Sequence, residues 1–286
     1  MATYTSQLKL YFQWCEYNRI HPLGATVDTI KAYRHYLRNK KKYKVKTIAL
    51  KLTVVRKLYA TLCEREIIAS NPAINVKSPT ENVDPAEQNN YLDRTEALDL
   101  IASLPVENTV QGLRDRLLVS LMVVQGCRQI GLYRLNIGDI LRRGQKTGLR
   151  IRAKGSVRVV PLTKEVGAVL EKFLKVRLAA GEKLRKDTPM FTSLAKNSYG
   201  NRLTRRSMQR IANQYLEAAQ LKHSENRTVT THGLRHTVGY LLTLLGRPLR
   251  EIQEALGHSD PRTTAIYAHI VNLWSNNPFS RLGLAV

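Results

Sequence analysis

The sequence has few acidic residues, few cysteines and no long apolar run. Aspartate and glutamate total 22 against 46 lysines and arginines, which leaves a formal net charge of +24 over 286 residues. No stretch approaches the roughly 18 apolar residues of a membrane-spanning helix, and neither a signal peptide nor a lipidation motif is visible. These absences argue against a membrane-spanning protein. The uncompensated positive charge predicts a polyanionic partner, with nucleic acid as the first candidate and an acidic membrane surface as the second.

Cysteine usage indicates a reducing compartment. The three cysteines, Cys15, Cys63 and Cys127, are an odd number and lack the spacing of metal ligands. We therefore expect them to be buried, small apolar side chains in a cytosolic protein. The motifs described below contain no carboxylate cluster suited to Mg²⁺, so no metal and no cofactor are expected.

The first part of the sequence predicts a small all-helical domain, which we assign to residues 1–78. Apolar residues recur at helical spacing in residues 4–17, again after Thr26, which is the expected N-cap of a second helix, and in a long third segment that begins at Val45. The element Asn71-Pro72-Ala73 is expected to break that third helix.

A basic run lies between the second and third of these helices. Such a run is often only a solvated face, but in a chain this basic a contact with phosphates is an equally good interpretation. Both interpretations stay open on the sequence alone. The residues that would contact phosphates are Arg38, Lys40, Lys41, Lys42, Lys44 and Lys46.

Residues 79–90 are polar, contain two prolines and predict a linker. They are followed by a second domain, residues 91–286, which opens on a capping-box pattern formed by Asp93 and Glu96. The chain length suffices for two modest domains, each with its own core.

Most of the second domain is helical in pattern, with one exception. The segment from Leu149 to Leu162 alternates apolar and polar residues and predicts a β-hairpin that turns at Gly155-Ser156. The expected fold class is therefore mainly α: a helical amino-terminal domain and a mostly helical second domain with a small antiparallel β-sheet.

The stretch from Thr231 to Ile270 concentrates side chains suited to phosphate chemistry. Helical spacing predicts a helix that begins near Thr231 and stops at Gly246. On it, His232 and Arg235 stand three residues apart, so both side chains can reach one anion.

Two further helices are expected in the same stretch. The first opens at Pro248 and is stopped by Gly257, which leaves His258 on the following turn. The second starts at Pro261, is capped by Ser259 or Asp260, and carries Tyr267.

Three local motifs resemble the carboxy-terminal signature of the tyrosine recombinases, also called the phage integrase family. The segment His232-Gly-Leu-Arg235-His236 fits the family's H-x-L-R-H box, and Leu256-Gly257-His258 fits its L-G-H box. The segment from Thr263 to His269 resembles the box that carries the nucleophile.

Two upstream segments extend the resemblance. Gln125-Gly126-Cys127-Arg128 is similar to the family's first arginine box, and Ala153-Lys154-Gly155 is similar to the turn that carries its catalytic lysine. Asn71-Pro72-Ala73 resembles the end of the amino-terminal domain of small recombinases. One departure concerns the third residue after Arg128, which is usually acidic in the family and is Gly131 here. The carboxylate that would orient the guanidinium group is therefore missing.

The resemblance implies that Tyr267 attacks a DNA phosphodiester and forms a covalent 3′-phosphotyrosine. Attack places extra negative charge on the non-bridging oxygens, and the forked guanidinium groups of Arg128 and Arg235 are suited to stabilise it. The covalent bond conserves the energy of the phosphodiester, so strands are rejoined without ATP.

The resemblance also implies roles for a lysine and two histidines. A tyrosine hydroxyl has a pKa near 10, so a base must assist it, and we favour His232. Lys154 is expected to protonate the departing 5′ oxygen, and His258 to hydrogen-bond the phosphate. We assign no chemistry to His236 and His269.

Double-stranded DNA is the partner that the resemblance implies. Four identical protomers would act on two recombination sites, one dimer per site, through a Holliday junction. The apolar tail from Leu273 to Val286 is expected to dock into a neighbouring protomer. Neither a small-molecule substrate nor a membrane is expected, and the site of action would be the prokaryotic cytoplasm, at the nucleoid.

Integration and excision, resolution of dimers and resolution of transposon cointegrates all remain open as biological roles. The short amino-terminal region favours a small Xer-like enzyme or a transposon-borne resolvase. Two other classes also remain: a type IB topoisomerase-like DNA relaxing enzyme, and a DNA-binding module with impaired catalysis, which Gly131 makes a serious alternative.

Overall fold

The computed structural model describes residues 2–80, 90–153, 156–224 and 227–258, together with residues 260, 264 and 267. The chain divides into two compact units, Met1–Val83 and Asp84–Val286. Each unit is described below by itself.

The described residues of the first unit form three α-helices. These are α1 (Ala2–Tyr17), α2 (Val27–His35) and α3 (Val45–Glu64), with a 3-10 turn at Pro22–Gly24 and a π-helical turn at Tyr36–Lys40. Thr26 starts α2 as expected, because its side chain accepts a hydrogen bond from the Thr29 amide and the Thr29 side chain accepts one from the Thr26 amide.

Aromatic side chains dominate the core of this unit. The hydroxyl groups of Tyr11 and Tyr59 lie 2.6 Å apart in a hydrogen bond, and Trp14 and Tyr33 pack around them. These rings are buried together with aliphatic residues of α2 and α3, which gives this small unit an apolar core of its own.

The predicted end of the third helix was wrong. Helix α3 ends at Glu64, before Asn71-Pro72-Ala73, because the chain turns at Glu66, which has a positive φ of 57°. The proline-containing segment instead packs back on the helix. The Asn71 side chain donates to the Arg56 carbonyl, and Arg56 donates to the carbonyls of Ala73 and Val76.

In its described residues, the second unit is built from helices, a small three-stranded sheet and a two-stranded one. Its helices are α4 (Arg94–Ala102), α5 (Val110–Val123), α6 (Gln129–Arg134), α7 (Lys164–Ala179), α8 (Arg205–Ala218), α9 (Thr231–Leu244) and α10 (Leu249–Leu256). Its strands are β1 (Ile140–Arg143), β2 (Lys146–Ala153), β3 (Ser156–Pro161), β4 (His223–Ser224) and β5 (Arg227–Thr228). The predicted fold class, mainly α with a small antiparallel sheet, is confirmed. Asp93 caps α4 in the capping box expected with Glu96.

Strands β1, β2 and β3 form an antiparallel sheet in that order. The hairpin was predicted correctly, but its turn was placed one residue too late, since Ser156 already pairs with Ala153 inside the sheet. Strand β1 was missed because its four residues are too few to show an alternation.

Helix α5 forms the centre of the second unit. It packs against α7, α8 and α9. Every residue from Gly112 to Val123 except Arg116 is buried. A helix surrounded in this way is a rigid platform for the loop that follows it, which begins the candidate site. None of the helices in the described ranges has the length and apolar character needed to cross a membrane.

Candidate active site

Helix α9 places three ionisable side chains at its amino-terminal end. The helix starts where predicted, because the Thr230 hydroxyl accepts a hydrogen bond of 3.2 Å from the Gly233 amide. The spacing of His232, Arg235 and His236 then places their side chains on adjacent positions of one helical surface.

Arg235 is a buried guanidinium group that has spare hydrogen-bonding capacity. Its side chain is 1% exposed, and it donates to the carbonyl oxygens of Gly126, at 2.6 Å, and of Leu256. Its Nε atom has no hydrogen-bond partner among the described residues. Burial and the nearby charges of Arg128 and Arg158 lower its pKa to about 9, so it still carries its charge at pH 7. A charged donor held in this way is suited to an anion.

Arg128 lies at the start of α6, and its Nη1 donates to the Gly257 carbonyl at 2.9 Å. This contact explains how the guanidinium is held without an acidic residue at position 131. A Cβ atom at Gly131 would lie 2.5 Å from Cγ2 of Ile151, so the packing of α6 on β2 leaves no room for a larger side chain. The Gly257 carbonyl thus takes the orienting role that we expected of a carboxylate.

Arg158 is a third guanidinium group at this site, and no motif in the sequence singled it out. It lies on β3 and donates to the Ala255 carbonyl. Its side chain also covers Gly257, where a Cβ atom would lie 2.7 Å from Arg158 Cδ. Gly257 ends α10 with a positive φ of 62°, so both the backbone and the Arg158 contact favour glycine there.

The three arginines therefore hold three consecutive carbonyl groups at the end of α10. Ala255, Leu256 and Gly257 accept from Arg158, Arg235 and Arg128 respectively. Terminal carbonyls of a helix carry partial negative charge and lack partners within the helix, so guanidinium groups stabilise them. This arrangement fixes the turn that follows α10.

His258 lies on that turn, as predicted. Its side chain is 7% exposed, and Nδ1 is 2.8 Å from the Thr264 hydroxyl. Burial and the charges of Arg235 and Arg128 lower its pKa to about 3, so the ring is neutral at pH 7. Its ring is stacked against that of Tyr267 with centroids 6.5 Å apart.

Tyr267 is 1% exposed and lies between α9 and α10. Its ring rests on Gly239, where a Cβ atom would overlap Cζ and lie 2.5 Å from Cε2. Its hydroxyl oxygen is 2.8 Å from Nδ1 of His236. Burial raises its pKa to about 12, although the charges of Arg235 and Arg128 act in the opposite direction.

The structure gathers most, but not all, of the candidate residues selected from the sequence. Four of them, Arg128, Arg235, His258 and Tyr267, lie together around the end of α10. His232 lies at the edge of the group, with an exposed side chain. Lys154 falls outside the described residues, as do most of the expected third helix and the carboxy-terminal tail.

His236 is the residue whose position the sequence interpretation missed. We assigned it no chemistry, yet within the described part of the chain the Tyr267 hydroxyl is hydrogen-bonded to His236 and not to His232. His232 meets the His236 ring edge to face, with centroids 4.6 Å apart. The available signal was spacing alone, since position 236 follows Arg235 directly and stands one helical turn after position 232.

The site carries a strong positive charge from its arginines, and its histidine side chains are neutral at pH 7. Three guanidinium groups converge on it, while burial and these charges lower the pKa values of His232, His236 and His258. Within the described ranges, no group of three or more histidine, cysteine, aspartate or glutamate residues is arranged to hold a metal ion. The arrangement is suited to bind a phosphodiester beside a phenolic hydroxyl group.

Comparison with known proteins agrees with this chemistry. Residues 90–272 match the phage integrase family. The tyrosine recombinase XerC of Pelotomaculum thermopropionicum is 31% identical over 246 residues, covering 83% of this chain and 76% of that protein. XerC of Leptospira interrogans is 27% identical over 270 residues, covering 93% of this chain and 81% of that protein.

A solved structure shows the same fold. The XerH site-specific recombinase, in a post-cleavage complex with a palindromic difH substrate, is similar with a TM-score of 0.72 at 20% sequence identity. The similarity covers 90% of this chain and 72% of that chain. The fold of the second unit is that of a tyrosine recombinase catalytic domain. The chain belongs to the phage integrase family.

Proposed function

We propose that this protein is a site-specific DNA recombinase that cuts and rejoins DNA through a 3′-phosphotyrosine intermediate and a Holliday junction. The observation that carries the proposal is the position of Tyr267, which is buried against His236 and His258 beside the turn whose carbonyl groups are held by Arg128 and Arg235. The XerC relatives support the same reaction class.

Each side chain has a role that follows from its position. The Tyr267 oxygen attacks phosphorus, and the charge that develops on the non-bridging oxygens is stabilised by Arg128 and by the unpartnered Nε of Arg235. His258, held by Thr264, donates a hydrogen bond to the phosphate through its second ring nitrogen. Lys154 is assigned the protonation of the 5′ oxygen on the family resemblance alone.

The groups that cover Tyr267 must move before it reacts. At 1% exposure, the Tyr267 side chain is covered by protein, so a phosphodiester reaches the hydroxyl only when the covering groups shift. We assign this shift to DNA binding or to assembly of protomers, because both supply contacts that the isolated chain lacks.

We assign DNA-backbone binding to the first unit, as a core-binding domain formed by residues 1–78 and joined by the linker, residues 79–90, to a catalytic domain, residues 91–286. All six members of the basic run are exposed, as phosphate contact requires. In the second unit, the exposed face of α8 carries Arg206, Gln209 and Arg210, which are residue types that bind phosphates and base edges.

We further propose a homotetramer on two recombination sites, one dimer per site, acting in the cytoplasm at the nucleoid. The apolar composition of the segment from Leu273 to Val286 supports its assignment as the docking segment between protomers. Deleting residues 275–286 is expected to leave DNA binding intact while weakening assembly and strand exchange. An intact tetramer without these residues would contradict the assignment.

Trapping of a covalent adduct tests the proposed reaction. A nicked suicide duplex bearing the cognate site should accumulate a covalent protein–DNA adduct with the wild-type protein and none with Tyr267→Phe, at equal DNA affinity. If both proteins bind and neither forms an adduct, the chain is a DNA-binding module. Relaxation of supercoiled plasmid that does not depend on two target copies would instead identify a type IB topoisomerase-like activity.

A further inference from the structure

The Tyr267 side chain packs on one face of α9, against His236 and Gly239. Gly239 accommodates the flat side of the ring, and His236, one turn earlier, meets the hydroxyl group at its far end. Because any side chain at position 239 would push the ring away, the 2.8 Å contact with Nδ1 depends on this local geometry. The contact is therefore a consequence of how the phenol is packed, and its two atoms are held together before DNA arrives.

We propose that His236 is a further catalytic residue, which accepts the Tyr267 proton during strand cleavage and returns it during strand joining. This assignment rests on the proposed recombinase function. It replaces His232, the base favoured by the sequence, with its neighbour on the same helix, because the reacting oxygen is in contact with His236.

The proton balance of the step is complete within the named groups. To accept the phenol proton at Nδ1, neutral His236 carries its single ring proton on Nε2, so that Nδ1 accepts the hydrogen bond from the Tyr267 hydroxyl. As the Tyr267 oxygen bonds to phosphorus, its O–H bond breaks and the proton passes to Nδ1, while the bond from phosphorus to the 5′ oxygen breaks and that oxygen takes a proton from Lys154, the acid assigned above. In joining, a 5′ hydroxyl group gives its proton to Lys154 as it attacks phosphorus, the bond to the Tyr267 oxygen breaks, and the imidazolium returns the proton to that oxygen.

The surroundings of His236 keep it ready to accept a proton. Burial, His232 and Arg235 lower its pKa to about 4, so the ring is unprotonated at neutral pH. A DNA phosphate placed between Arg128 and Arg235 brings negative charge close to the ring and favours the imidazolium at the moment of transfer. The base thus gains strength when substrate is present.

His232 has a different environment. It is exposed, and its ring meets His236 rather than the phenol. The structure therefore supports it as a neighbour that influences the charge of His236, and the two histidines can be separated by experiment.

Single-turnover adduct formation on the nicked suicide duplex, with DNA affinity measured separately, tests the assignment. Three variants are compared with the wild-type protein: His236→Asn, His236→Ala and His232→Asn. Asparagine places an amide near the position of Nδ1, so it keeps a hydrogen bond to the phenol but is a far weaker base. The exposed histidine of β4 supplies a matched control, His223→Asn, which should form adduct at the wild-type rate.

We expect His236→Asn to form adduct about 100-fold or more slowly, the usual contribution of a general base, with unchanged DNA affinity and thermal stability. We expect His232→Asn to be less impaired than His236→Asn. Imidazole added to His236→Ala should restore part of the rate, which a purely structural defect would not allow.

Adduct formation by His236→Asn within about threefold of wild type, on folded protein, overturns the assignment. So does a larger loss in His232→Asn than in His236→Asn. These outcomes differ from failure of the proposed recombinase function, in which the wild-type protein itself forms no adduct.

Discussion

The carbonyl oxygen of Gly257 accepts a 2.9 Å hydrogen bond from Nη1 of Arg128, which lies 129 positions earlier in the chain. The contact joins the first arginine box to the L-G-H box and orients a guanidinium group that has no carboxylate at position 131 to hold it. Gly257 also lies beneath the Arg158 side chain, so one residue couples two of the three arginines to the turn that carries His258.

Replacing Gly257 by alanine should therefore damage both stability and cleavage. The substitution strains a backbone with φ of 62° and drives a methyl group into the Arg158 side chain. We expect a loss of more than about 1 kcal/mol in the free energy of unfolding and slower adduct formation. Gly144→Ala is the matched control, because Gly144 has φ of 55° but nothing within 4 Å of a Cβ atom. Equal effects of the two substitutions on cleavage would show that Arg158 is not involved.

Gly239→Ala should slow adduct formation without loss of DNA affinity, because the added methyl group displaces the Tyr267 ring. Replacing glycine by alanine inside a helix stabilises a protein by roughly 0.5–1 kcal/mol when there is room for the methyl group. Gly167 in α7 offers such a position, with nothing within 4 Å of its Cβ, so Gly167→Ala should raise the melting temperature while Gly239→Ala lowers it. A more stable and fully active Gly239→Ala protein would contradict the described position of the ring.

Arg235→Lys should reduce single-turnover cleavage about 100-fold or more, because an ammonium group cannot hold the Gly126 and Leu256 carbonyls and a phosphate together. Some of the loss will be structural, on the order of 1–3 kcal/mol for carbonyls left without partners. Arg202→Lys controls for this, since Arg202 likewise donates to main-chain carbonyls, those of Tyr133 and Leu135, outside the site. Comparable cleavage defects in the two variants would assign the effect to folding.

Stability should fall as the pH decreases from about 6.5. The pKa values of His236 and His258 are near 4 and 3 in the folded protein, below the ordinary value of 6.5. The unfolded chain therefore binds protons more readily, and the stabilisation present above pH 6.5 is lost as pH falls toward 4. Chemical denaturation of wild type and His258→Asn between pH 7 and 4 measures this loss, which we expect to be smaller in the variant by on the order of 1 kcal/mol. Identical pH dependence would show that His258 is not desolvated.

DNA affinity should depend steeply on salt, with a slope of about 0.9 log unit per contacted phosphate per decade of salt concentration. Exchanging Lys40, Lys41 and Lys42 for glutamine should lower the slope by up to about that amount per lysine. Lys31→Gln is the control, because its charge is already paired with Asp28 at 2.9 Å. An unchanged slope in the triple variant would leave the basic run as a solvated face.

Local signals in the sequence predicted where several helices begin and end. Thr26 and Asp93 start helices because their side chains cap nearby amides, and such contacts span only a few residues. Gly257 ends α10 in a left-handed backbone conformation, which is likewise a local signal. These interactions are encoded within a few positions, so a single sequence suffices to find them.

The contacts that were missed depend on tertiary packing. In β3, alternation favours Val157 and Val159 as the buried residues, yet these are 64% and 55% exposed while Arg158 shares the inner face with Val160. A charged residue on the inner face is stable only because the end of α10 supplies a carbonyl for it. Likewise, the choice between His232 and His236 depends on where Tyr267 approaches α9, which no local pattern encodes.

The partners of the three guanidinium groups at the end of α10 are main-chain oxygens, and this has an evolutionary consequence. A counter-charge supplied by an aspartate or glutamate can be lost in one substitution, whereas a peptide carbonyl is present whatever residue occupies the position. The alignment of the three guanidinium groups is therefore inherited through the path of the backbone, and a chain can lack an acidic residue beside the first arginine while keeping that arginine aligned.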